Sequence, residues 1–335
     1  MRGLPGRVPV LGEQRSAAAS EQDFIRLIER VVRSRGHLKV GIGDDACVLR
    51  NGTVLSADSY VEGVHFDLSY MTLRQAGFRC ACAALSDVVA MGAGPEVLLV
   101  ALALPEAAGR REVSSLYRGI EEACAALGCE VAGGDIIAAD RLLISLTAAG
   151  RTRRPLLRSA AHAGDTLYVT GYLGSAEAGR ACLRQGVRQR RFAELVKRHL
   201  RPLPRLAAMR LLRRRIRALI DTSDGIASDA RRLAEQSGVK VVLEPDGFPV
   251  ARGTTELCAR LGLAPTGFAL CSGEDYELLF SSRQPIPRVA AGVPVSRVGR
   301  VEKGKGLFVE KAGSVVPVTV SGYDHIAGRL GKRRS

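Results

Sequence analysis

The sequence predicts an α+β protein of two domains, each built on a mixed or antiparallel sheet. Three observations lead there. Apolar runs of strand length are interspersed with segments of helical periodicity, without the steady strand-helix-strand rhythm of a doubly wound sheet. The 335 residues make about two domains at the usual size of roughly 150 residues each. A basic, proline-containing stretch, Arg151 to Arg158, reads as a linker between two such halves. The expected organisation is a loose leader over 1–20, a first domain over 21–150 and a second over 151–335.

The elements follow in order. Residues 1–20 are polar and rich in Gly, Pro and Ala, and helical spacing begins near Asp23 to Arg33. Strand-like runs occupy Val40 to Ile42, Cys47 to Leu49 and Val54 to Ser56. A long helix is expected over about Leu73 to Met91, with Phe78, Cys82, Leu85 and Val89 on one face and Asp87 in its middle or last turns. Gly94-Pro95 punctuates the chain before the strand Val97 to Leu104, a helix near Arg111 to Leu127, a turn at Gly133-Gly134-Asp135 and a strand Leu142 to Ala149. In the second half, Gly164-Asp165 leads into strand Thr166 to Thr170. Helices are expected at Ser175 to Arg184, Arg191 to His199, Pro204 to Arg215 and Ile226 to Ser237. Strands are expected near Val239 to Leu243, Tyr276 to Phe280 and Val298 to Val301.

Composition narrows the function. No apolar stretch reaches the ~18 residues needed to span a bilayer, and Met1 to Arg15 lacks the apolar segment of a secretory signal, so no membrane association and a cytoplasmic location are expected. The eight cysteines form no CxxC pair, and most sit among apolar neighbours as small hydrophobes do. The net charge of +15 invites a nucleic-acid reading, but the excess is concentrated between Arg180 and Arg217. There Leu206, Met209, Leu212, Ile216 and Leu219 recur at helical spacing, so the arginines read as the solvated outer faces of amphipathic helices. With no Trp and 4% aromatics, base stacking is poorly supplied and nucleic acid is an unfavoured partner.

The chemistry lies in acidic motifs spread along the chain: Gly43-Asp44-Asp45, Asp58 with Glu62-Gly63-Val64-His65, Ser86-Asp87, Gly133-Gly134-Asp135, Asp221-Thr222-Ser223-Asp224-Gly225 and Gly273-Glu274-Asp275. Carboxylates gathered without basic partners repel one another unless a cation holds them, and a hard divalent ion with a polyphosphate is the simplest occupant. That pattern points to metal-dependent phosphoryl transfer. Each motif also has a plain structural reading. Asp44 suits a cap in a hairpin turn, Asp58 a turn start and His65 a strand end. Asp87 suits a hydrogen-bonding group within a helix, Ser223 or Asp224 a helix N-cap, and Glu274 with its neighbours a solvated loop. Asp221 has no capping duty. No Gly-Lys-Ser/Thr follows Gly41-Ile42-Gly43, so it is not a Walker A loop.

Taken in order, GIGDDA, D..VEGVHF, LSD..AMGA, GGD, IDTSDG, SGEDYEL and GYDH resemble the thiamine-monophosphate kinase family, within the superfamily of aminoimidazole ribonucleotide synthetase and selenophosphate synthetase. The resemblance covers roughly residues 20–327. It implies two α+β domains of that superfamily's type, a homodimer formed mainly through the N-terminal domains, and transfer of the ATP γ-phosphoryl group to thiamine monophosphate with several Mg2+ ions. It also implies metal contacts at Asp45, Ser56, Ala57, Asp58, Asp87, Asp135, Asp221 and Asp224. ATP would meet Gly134, Asp135, Arg158 and Ser223, and thiamine monophosphate would meet His65, Glu274 and Tyr323. Ala57 departs from the Thr or Ser usual in the family, which is harmless if only its carbonyl serves. An acceptor that is already an anionic phosphate needs alignment and charge neutralisation, so no general base is expected. Sibling activities that make acyl phosphates or selenophosphate would need other residues, such as a reactive Cys loop before Gly41, and none is present.

Overall fold

The structure, a computed structural model, describes residues 21–33, 35–187 and 189–318. Helix α1 (Glu21–Val31) belongs to a separate unit, and every other element lies in one compact unit, Ser34–Tyr323. In that unit a first sheet joins β1 (Leu38–Val40), β2 (Cys47–Leu49), β3 (Thr53–Val61), β4 (Gly94–Leu104), β5 (Glu130–Ala138) and β6 (Leu143–Arg151) in the order β1-β2-β3-β6-β4-β5. Helices α2 (Leu73–Ala90) and α3 (Arg110–Leu127) lie in its connections.

The second sheet holds β7 (Thr166–Thr170), β8 (Leu219–Asp221), β9 (Lys240–Leu243), β10 (Leu278–Ser282), β11 (Val289–Ala290), β12 (Val293–Glu302), β13 (Gly306–Lys311) and β14 (Ser314–Pro317). Its order is β14-β13-β9-β12-β7-β10-β8, with β11 against β12. Helices α4 (Ser175–Arg184), α5 (Ala193–Leu200), α6 (Leu206–Leu212), α7 (Ile226–Ser237), α8 (Arg252–Leu261) and α9 (Pro265–Cys271) connect its strands. Each sheet is antiparallel apart from one parallel pair, β4 with β5 and β9 with β13. The α+β reading with mixed sheets stands.

Helix α2 is the axis of the molecule. A capping box starts it: Gln75 N–H donates to Thr72 Oγ1 at 3.2 Å, and Thr72 N–H returns to Gln75 Oε1 at 2.9 Å. The expected single apolar face is corrected, because α2 is buried around its circumference from Ala76 to Ser86. The reason is its position, packed against α3, β3 and β6 of the first half and against β8, α5 and α6 of the second. One hydrophobic core accordingly runs from Val48, Leu98 and Leu146 through Leu85 of α2 to Leu219 and Phe280. The first sheet closes at Arg151 and the second opens at Thr166, yet this core crosses the junction.

Two further expectations are corrected. Gly133-Gly134-Asp135 is no turn; it lies inside edge strand β5, which pairs parallel to β4 after crossing over through α3. The glycines fit there because the backbone takes φ of +142° and +156°, and a Cβ on Gly134 would sit 1.7 Å from the Val100 carbonyl oxygen. The arginine-rich segment is not all solvated surface. Arg205 turns its side chain onto the buried Glu277, and Arg213 reaches inward to the Gly92 and Arg154 carbonyls and, at 2.8 Å, to Thr152 Oγ1. Strands β13 and β14 and helices α8 and α9 extend the second half beyond the predicted elements. The eight cysteines are free, and most are buried. No helix among the described residues is long and apolar enough to cross a membrane.

Candidate functional site

Three aspartates far apart in the chain meet where α2 passes between the sheets. Asp45 follows the Gly43 turn ahead of β2, Asp87 occupies the last turn of α2, and Asp221 ends β8. One carboxylate oxygen from each lies within 4.8 Å of the others. Ser56, on β3, donates to Asp87 Oδ2 at 2.5 Å, and Ser86 donates to Asp221 Oδ2 at 2.6 Å. Adjacent residues on a helix point about 100° apart, so Ser86 reaches Asp221 while Asp87 accepts from Ser56. Ser86 was not singled out from sequence, although it stands beside Asp87 in the Ser-Asp pair.

The electrostatics are those of a site that wants a cation. Burial, then Asp58, Asp221 and Asp45, raise the Asp87 carboxyl well above the ordinary range, against the hydrogen bond from Ser56. Burial and then Asp45 push Asp221 up to about 7, against Ser86 and Arg158. Asp45 Oδ2 is buried with no hydrogen-bond partner, an acceptor left for something absent from the protein itself. An all-oxygen donor set of this kind fits Mg2+ or a similar hard divalent ion.

Arg158 closes one side. Its Nη2 lies 2.5 Å from Asp45 Oδ1, and its backbone N–H donates to both oxygens of Asp44 at 3.3 Å. Asp44 thus is the cap its plain reading anticipated, with its carboxyl raised to about 6 by burial and then by Asp45. Asp58 receives the Tyr60 hydroxyl at 2.9 Å and acts on Asp87. Asp224 is not an N-cap, since Gly225 holds that position; it pairs with Arg232 at 2.6 Å. Beneath them Asp229, missed in the sequence, is fully buried and raised well above its ordinary range by burial and then by Asp224.

The acceptor candidates His65 and Glu274 adjoin these residues. His65 Nδ1 accepts the Val61 N–H at 3.0 Å, and its ring meets Tyr60 edge-on at 5.8 Å, so His65, Tyr60 and Asp58 form a chain. Glu274 forms an ion pair with Arg79 at 2.6 Å. Its loop is tied to the Asp221–Asp224 segment by Glu274 N–H to Ser223 O at 2.7 Å and Tyr276 N–H to Thr222 O at 3.0 Å. The solvated-loop reading fails here: Asp275 accepts from Gly174 N–H at 2.6 Å and Ala176 N–H at 2.9 Å, and buried Glu277 takes Arg205 and Thr170.

Other residues stand apart. Asp58, Leu146, Val100 and Gly134 are successive partners across β3, β6, β4 and β5, so Gly134 lies three strand spacings from Asp58, roughly 14 Å. Asp135 projects from the opposite, exposed face of that sheet, the face that also carries Ala57, Ser59 and Leu99. Ala57 pairs with Thr147 in the ladder and turns its methyl away from Asp87. Tyr323 lies outside the described residues.

Comparison with known proteins places the chain in a family. Residues 43–152 fit the family model of AIR synthase related proteins, N-terminal domain. The chain is 34% identical over 295 residues to the thiamine-monophosphate kinase of Aquifex aeolicus (strain VF5), covering 87% of this chain and 94% of that one. It is 35% identical over 315 residues to the thiamine-monophosphate kinase of Rhodopirellula baltica, covering 88% and 93%. The solved structure of AaThiL complexed with AMPPCP and TMP superimposes with a TM-score of 0.83 at 33% identity, covering 91% of this chain and 97% of that one. With this identity sustained along nearly the whole chain, the protein belongs to the thiamine-monophosphate kinase family.

Proposed function

We propose that this enzyme transfers the γ-phosphoryl group of ATP directly to the phosphate of thiamine monophosphate, giving thiamine diphosphate and ADP, with several Mg2+ ions in the site. The observation that carries the proposal is the convergence of Asp45, Asp87 and Asp221 around an acceptor oxygen with no partner. Asp45, Asp87 and Asp221, with Ser56, Asp58, Asp224 and the Ala57 carbonyl, are the residues that would hold the ions, and Asp135, on the far face of its own sheet, would reach ions only from a second copy of the chain. Bound there, the ions would neutralise the charge of the triphosphate and of the incoming phosphate.

The chemistry asks little else of the chain. A phosphate monoester oxygen, already anionic near neutral pH, attacks the γ-phosphorus while the bond to the β,γ-bridging oxygen breaks in line, and the electron pair leaves on ADP. No proton has to be removed first. Arg158, now held by Asp44 and Asp45, supplies a fixed positive charge beside the nucleotide phosphates, with Ser223 on the adjoining loop. His65, Glu274 and Tyr323 receive the acceptor, the Glu274 carboxylate suiting its cationic thiazolium or its aminopyrimidine.

A homodimer through the first sheet completes the reading. What supports it is the open edge at β5, where Ile136 and Ile137 are each 58% exposed, with Leu99 of the neighbouring β4 43% exposed. Gly134 and Asp135 lie on that strand and would meet nucleotide across the interface. A cytoplasmic location accords with the use of ATP. Purified protein supplied with Mg2+, ATP and thiamine monophosphate should yield thiamine diphosphate and ADP in equal amounts by chromatography. ADP without thiamine diphosphate would refute the assignment.

A further inference from the structure

Arg79 is a charged residue in the middle of a buried helix, 2% exposed among alanines and cysteines. Its guanidinium has two anchors. Nη1 donates to the His199 carbonyl at the end of α5, and Nη2 lies 2.6 Å from Glu274 Oε1. The second contact is a close ion pair. Burial disfavours the charge on Arg79, and Glu274 and Tyr276 more than offset that. Neighbouring His199 cannot share the charge, because burial and then Arg79 and Arg180 keep its imidazole neutral.

Glu274 is held unusually at both ends. Its backbone sits at φ +65°, the left-handed region, kept there by the hydrogen bond to Ser223 O. Its side chain is tied to Arg79 and remains 35% exposed, so part of the carboxylate stays open to a ligand. Arg79 and Asp87 are eight positions apart on α2, about 12 Å along the axis. One helix, buried from Ala76 to Ser86, therefore sets the separation between the Glu274 end of the site and the metal-binding end.

We propose that Arg79 is a positioning residue for acceptor recognition: it holds the Glu274 carboxylate fixed in place for the cationic ring system of the acceptor, at a distance from the phosphate-transfer centre that α2 sets. The proposal rests on the assignment of Glu274 to thiamine monophosphate. Arg79 itself touches neither substrate.

The test is steady-state kinetics of R79M, R79K and E274Q, with each substrate varied in turn and thermal midpoints recorded in parallel. R79M should raise the KM for thiamine monophosphate by roughly ten- to a hundredfold, as loss of a positioning contact does, with the KM for ATP unchanged. R79K should fall between R79M and the parent, and R79M/E274Q should be no worse than E274Q alone. If E274Q raises the acceptor KM and R79M leaves it unchanged, the positioning role is overturned while the site assignment stands. If E274Q has no effect on that KM, the assignment falls and the proposal with it. Should R79M not fold, R79K decides: an unchanged acceptor KM overturns the proposal, and a raised one with ATP unaffected supports it.

Discussion

Ser86 Oγ donates to Asp221 Oδ2 at 2.6 Å, joining residues 135 positions apart and tying the last turn of α2 to the end of β8. The hydrogen bond crosses from the helix that covers the first sheet to a strand of the second. The carboxylate cluster is thus a product of the junction between the two sheets.

Replacing Asp87 or Asp221 by Asn should lower kcat by roughly a hundred- to a thousandfold, the usual cost of removing one electrostatic contact to a transition state. The fold should survive, because each substitution removes a charge whose burial is unfavourable without a cation. Activity assays paired with melting curves in EDTA check both halves: rate lost, midpoint not lowered.

Removing divalent cation should destabilise the parent protein. Ligand that binds only the folded state adds about 2.7 kcal/mol at a hundred times its dissociation constant. Thermal midpoints should therefore climb as Mg2+ is titrated in after EDTA, and much less in D87N or D221N.

Asp275 should give the protein a pH dependence separate from the metal site. Burial, only partly countered by the Ala176 and Gly174 N–H groups, raises its carboxyl to about 7. The folded state therefore holds a proton that the unfolded chain has lost. Stability relative to D275N should fall as pH rises from about 4 to about 7, by on the order of 1 kcal/mol per pH unit, and level off above. Urea melts of both proteins across that range measure the difference, and a constant gap would be evidence against a raised Asp275.

Gly119→Ala should destabilise without touching the site chemistry. A Cβ there would stand 1.8 Å from the Arg74 carbonyl oxygen and 2.8 Å from Phe78 N, so α3 has to move off α2. Overpacking of this kind costs about 1–3 kcal/mol. The denaturation midpoint should drop with the slope unchanged.

The residues themselves determined a good deal. Helix α7, strand β7 and the sheet-forming runs follow from local periodicity, which depends only on near neighbours. Asp45, Asp87 and Asp221 could be picked out as candidate ligands because acids placed where apolar runs meet loops are costly to bury without a cation, and the motif order carried the family. Tertiary structure decided what needs distant partners. That Gly133-Gly134-Asp135 is strand rather than turn depends on β4 lying alongside. That Asp275 and Glu277 are buried, and that Arg79, Arg205 and Arg213 point inward, depends on which charge or carbonyl folding brings opposite each of them. A side chain's exposure and its ion-pair partner are properties of the assembled core; periodicity encodes the surface an element can bury, and only packing selects what is buried against it.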